Sequence, residues 1–117
     1  MNADDLKKRT KEYALRIITL VKALPNTPEG RAIGNQLIRS GTSVGANYRA
    51  VCRARSDAEF IAKLGIVIEE ADESAFWLEI IIESKLLKRE LVESLLAETN
   101  EITAIMVATR KTSKNKS

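Results

Sequence analysis

Apolar residues recur at three- and four-residue spacing in four successive stretches, and each stretch reads as a helix. The first covers residues 4–24, striped by Leu6, Tyr13, Ile17, Leu20 or Val21, and Leu24. Asp4 and Asp5 stand at its start, where the helix dipole favours negative charge. Pro25-Asn-Thr-Pro28 ends it, because proline lacks an N–H and disfavours helix in the residue before it. The second covers 28–54, with Thr27 as N-cap, Pro28 at the first helical position, then Ile33, Leu37, Val44, Tyr48 and Val51. Ser56-Asp-Ala-Glu59 has the form of a capping box, the serine taking the amide of Glu59 and the glutamate reaching back. It opens a third helix over 57–84, striped by Phe60, Leu64, Val67, Ala71, Ala75, Leu78 and Ile82. The fourth covers 88–111, with Leu87, Leu91, Leu95, Ile102, Ile105 and Thr109 as its core face. Four helices with short connections predict an all-α fold, an up-down-up-down four-helix bundle in one domain over 1–113. A basic tail at 114–117 is expected to fray. The alternative is a helical hairpin assembly that completes its core only with a second chain.

Two faces are not used up by a single bundle. Gly34, Gly41 and Gly45 share one side of the second helix with Tyr48 and Cys52, within an arc of about 60°. Each glycine costs roughly 1 kcal/mol against alanine in a helix. Close approach of a neighbouring backbone is the expected return. The third helix carries a second apolar set, Ile66, Phe76, Trp77 and Ile80, on the side away from Phe60. Contiguous exposed apolar groups mark interfaces, so these four predict an oligomer. Val92, Leu96, Thr99, Thr103 and Val107 suggest a second contact on the fourth helix as well.

Charge is unevenly spread. The net charge of the 117 residues is +3, yet residues 31–55 hold five arginines and no carboxylate, and 57–84 hold eight carboxylates against one lysine. Arg31, Arg39, Arg49 and Arg53 fall within an arc of about 80° on the second helix, and Arg55 follows. Free, they would neutralise phosphates. Paired, they would meet the acids of the third helix or of another subunit.

No reaction is written in the chain. Histidine is absent, so a metal-carboxylate bundle of the Glu-x-x-His kind has no ligands, and no metal or cofactor is expected. Cys52, Ser40, Thr42 and Ser43 have no histidine base. No glycine loop cradles a phosphate, and no run is long and apolar enough to span a bilayer. One cysteine and no apolar leader predict a cytoplasmic protein that is not an enzyme.

The stretches Ser40-Gly-Thr-Ser-Val-Gly-Ala-Asn-Tyr-Arg49 and Arg53-Ala-Arg-Ser-Asp-Ala-Glu-Phe-Ile61 resemble a known family. So do Lys63-Leu-Gly-Ile66, Glu70-Ala-Asp-Glu-Ser74 and Trp77-Leu-Glu79. The family is that of the bacterial four-helix-bundle proteins encoded in intervening sequences of large-subunit ribosomal RNA genes. The resemblance implies an up-down bundle assembled as a homopentamer. It also implies kinship with the accessory variability determinant of diversity-generating retroelements, a basic pentamer that binds nucleic acid and a reverse transcriptase. Many members read Asn-Ile-Ala-Glu-Gly where this chain has Asn47-Tyr-Arg-Ala-Val51, losing a carboxylate and gaining an arginine. Two functions follow as expectations: an oligomer that contacts RNA or DNA through Arg31, Arg39, Arg49, Arg53 and Arg55, or a scaffold whose apolar faces recruit a protein partner.

Overall fold

The structure, a computed structural model, describes residues 1–116. These form four helices, α1 (Ala3–Lys22), α2 (Pro28–Cys52), α3 (Asp57–Glu83) and α4 (Arg89–Lys116), and no strand. Side chains close the helix starts. Asn2 and Asp5 make a capping box on α1, each accepting from the other's backbone N–H, at 2.8 and 3.3 Å. Thr27 Oγ1 accepts from the Gly30 amide at 3.1 Å. Ser56 Oγ accepts from the Glu59 amide at 3.1 Å, but Glu59 reaches past the cap to the Arg55 amide at 3.3 Å. α3 ends in a Schellman turn, with the Leu86 amide on the Ile81 carbonyl and the Lys85 amide on the Ile82 carbonyl. Lys85 takes the left-handed position, φ 63°, where glycine is usual. α4 continues through Lys116, beyond the 111 that its pattern suggested and into the tail expected to fray; Ser117 lies outside the described residues.

The helices run up, down, up, down. Gly45 faces Thr10 while Gly41 faces Ile17, so α1 and α2 are antiparallel, and the Arg9–Glu98 and Arg16–Ser94 contacts set α4 antiparallel to α1. The bundle measures 47 × 20 × 19 Å. Each helix packs on its neighbour in sequence, and α1 and α4 touch least.

The core follows a three-four repeat on every helix: Leu6, Thr10, Tyr13, Ile17 and Leu20 on α1, and Val92, Leu95, Thr99, Ile102 and Met106 on α4. The α4 face therefore differs from the predicted one. Leu91 is 60% exposed and Ile105 half-buried, whereas Val92 and Thr99, expected at a second contact, lie inside. The repeat through 92, 95, 99, 102 and 106 keeps one face pointed inward, and a threonine at its centre is tolerated because it has a partner.

That partner is Tyr13. Its hydroxyl lies 2.6 Å from Thr99 Oγ1, and Thr99 already donates to the Leu95 carbonyl, so the phenol donates. Beside it the Ser40 and Ser74 hydroxyls meet at 2.9 Å. All four side chains are buried, one from each helix. Burial pushes the Tyr13 phenol above its ordinary range, and hydrogen bonding to Thr99 and Ser74 offsets part of that rise.

α1 and α2 are drawn together by the glycines. A Cβ on Gly45 would sit 3.2 Å from the Thr10 carbonyl oxygen, and one on Gly41 would sit 2.7 Å from Ile17 Cγ1. Ile17 is fully buried and β-branched, which leaves it one favoured rotamer in a helix. The cost of the glycines in helix propensity is thus exchanged for backbone approach.

The sparse α1–α4 seam is closed by charge. Arg9 holds Glu98 through two nitrogens, at 2.8 and 2.7 Å, and reaches Glu101 at 2.9 Å. The Arg9 hydrogen bond holds the Glu98 carboxyl below the usual carboxylate range.

Two outcomes are expected. Gly41→Ala lowers unfolding free energy by about 1–3 kcal/mol in urea titrations, the overpacking outweighing the propensity gain. Because the Glu98 pKa is lowered on folding, its stabilisation is present above the unfolded value and is lost as pH falls through the folded one. Glu98→Gln therefore destabilises the protein at neutral pH, and the difference from the parent shrinks below the ordinary carboxylate range, as thermal melts across pH would record.

Candidate nucleic-acid interface

Where α1 and α2 approach, their outer edges diverge into an open cleft of about 540 Å³. Its floor is Gly45 and Ala46, too small to fill it. Four cations stand in its walls: Lys7 and Lys11 from α1, Arg49 from α2 and Arg53 at the α2 C-cap. Each pair is one helical turn apart, so both members point the same way. No carboxylate lines the cleft. Among the described residues none of these four side chains forms an ion pair, since the five bridges use other cations.

The other predicted arginines are placed differently. Arg39 lies against α3, with Nη1 3.0 Å from Glu70 Oε2 and Nη2 on Glu73 Oε2. Arg31 donates to Asn26 Oδ1 at 2.8 Å. Arg55 falls in the turn between α2 and α3, exposed, apart from the cleft. An arc of about 80° explains the division: one edge of the exposed face borders α1 and the other borders α3. The arginines that sequence placed together thus serve two neighbours. Lys7 and Lys11 were missed. Their signal was present as a basic i, i+4 pair flanking Thr10, but it acquires meaning only once Gly45 is known to lie on Thr10.

The outer face of α3 carries the predicted interface residues. Ile66 is 44% and Phe76 52% exposed. Trp77 and Ile80 are half-buried, and Trp77 packs against the protein's own core. The Phe76 and Trp77 rings meet edge to face, centroids 5.0 Å apart. Trp77 Nε1 donates to Glu73 Oε2 at 3.2 Å. Arg39, then Trp77, hold the Glu73 carboxyl below its ordinary range. Among the described residues no group of three or more histidine, cysteine or acidic side chains is placed to hold a metal, and no helix is long and apolar enough to cross a membrane. Cys52 is half-buried against the core beside Tyr48.

The family described as 23S rRNA-intervening sequence protein matches residues 4–108, which takes in nearly all of the four helices. This chain belongs to that family. A crystal structure from Bacteroides thetaiotaomicron, of a protein with unknown function from the S23 ribosomal protein family, is similar to it throughout. The two are 38% identical with a TM-score of 0.87, over 95% of this chain and 99% of the other. No curated protein matches. The membership agrees with the resemblance carried by the α2 and α3 motifs, and with the all-α four-helix fold.

Proposed function

We propose that this protein is a non-enzymatic, cytoplasmic oligomer, a homopentamer as the family resemblance implies, that binds RNA or DNA through the cleft between α1 and α2. One observation carries the proposal: Lys7, Lys11, Arg49 and Arg53 share a single recess whose walls hold no carboxylate. Unpaired cations held at one place repel one another, and a phosphate backbone relieves that repulsion while releasing its own counterions. Arg39 contributes little in this scheme, because Glu70 and Glu73 already neutralise it. In gel shifts across a salt series, the parent protein is expected to bind RNA or DNA with a steep loss on adding salt. The Lys7→Gln, Arg49→Gln double variant weakens binding about tenfold or more, as loss of two phosphate contacts requires, while Arg39→Gln leaves it near the parent value. Absence of binding at low salt would remove the proposal.

A protein scaffold is the second function, favoured by the exposed Ile66 and Phe76 on α3. In the oligomer proposed here a second copy covers that face. Phe76→Ala is then expected to shift the solution mass by light scattering toward the monomer, while the helical circular dichroism stays unchanged. An unchanged mass would assign the face to a different protein.

A further inference from the structure

Resting on the nucleic-acid function proposed above, we infer that the α1–α2 cleft is a track for one strand, held by consecutive phosphates and blind to base identity. The spacing of the cations comes first. Gly45 lies over Thr10 and Gly41 over Ile17, which fixes the antiparallel register of the two helices. In that register Lys7 comes level with Arg49, Lys11 comes level with Gly45, and Arg53 lies a turn beyond Lys7. The four cations therefore occupy three rungs, Lys11, then Lys7 with Arg49, then Arg53. One turn separates successive rungs by about 6 Å along the helix axes. That is close to the separation of neighbouring phosphates on a nucleic-acid strand. The middle rung offers two charges to one phosphate and the outer rungs one each.

The rest of the wall decides what is not recognised. No aromatic ring lines the cleft, so bases have nothing to stack on. The two hydroxyls there are already used as donors: Thr10 Oγ1 donates to the Leu6 carbonyl at 2.7 Å, and Thr42 Oγ1 to the Ile38 carbonyl at 2.6 Å. No asparagine or glutamine is present to read a base edge. The recess lies between two helices whose backbones nearly touch at Gly45, so its cations flank one straight line, Lys7 and Lys11 on one side and Arg49 and Arg53 on the other. A flexible strand can settle along that line. A stiff duplex winds its phosphates away from a straight track and meets it at fewer points.

The track and the broader function fail separately in one titration. Fluorescence anisotropy would compare labelled hexanucleotides dT6, dA6 and rU6 with a hairpin whose stem has the same length, with inorganic tripolyphosphate as competitor. The three single strands are expected to bind within a few-fold of one another, and the duplex about tenfold more weakly. The slope of log affinity against log salt should be about −2, from three phosphates on a single strand. Arg53→Gln should reduce that slope by about 0.7. Duplex binding as tight as single-strand binding would overturn the track and leave the nucleic-acid function standing. So would a strong preference for one base, or an unchanged slope in Arg53→Gln. Displacement of every strand by equimolar tripolyphosphate would also overturn it, because a compact anion would then suffice. If neither strand nor duplex binds at low salt, the broader function fails with it.

Discussion

The bundle depends on a polar layer in an apolar interior. Tyr13 meets Thr99 and Ser40 meets Ser74, one side chain from each helix, all buried. Each unpaired hydroxyl in such a place costs about 1–3 kcal/mol. Sliding any helix by a turn would separate partners and strand groups that water cannot reach. Leucine or isoleucine at these positions would pack in several registers. The hydroxyl pairs are compatible with one. Among the described residues no buried side-chain nitrogen or oxygen lacks a partner, so the layer is complete.

Once the register is set, the surface follows. Gly41 must lie beneath Ile17 and Gly45 beneath Thr10, and the outer edges of α1 and α2 then present their cations to a common recess. The same register brings Arg39 to Glu70 and Glu73 on the opposite edge of α2. A single helix thereby shares its positive charge between an internal tie and an open cleft. Surface ion pairs of this kind contribute little stability on their own. Their larger effect is on which cations remain available.

Much of this was legible in the sequence because it is local. Helix periodicity, the Thr27 and Ser56 caps, and the proline break between α1 and α2 all act within a few residues. The glycines announced a close approach, and α1 is the helix that makes it. What escaped depends on partners far apart in the chain. Thr99 looked like an outer position until Tyr13, 86 residues earlier, supplied its hydrogen bond. The α4 stripe was drawn through Leu91 and Ile105, whereas Val92 and Thr99 are the residues that face inward. Lys7 and Lys11 were unremarkable among the charges of α1, since only tertiary contact makes them neighbours of Arg49. The arginines of α2 were correctly placed on one arc, but an arc has two borders, and each borders a different helix.

The uneven packing of the four helices has a kinetic side. Because each helix leans mainly on the next one along the chain, the fold resembles a pleated strip with its two outer panels lightly joined. Contacts between sequence neighbours close short loops, and topologies of low contact order assemble quickly. The strip can form panel by panel without waiting for its ends. The joint between first and last panels, at Arg9, Tyr13 and their α4 partners, has the least packing to hold it, whereas the glycine pair sets its two panels close together.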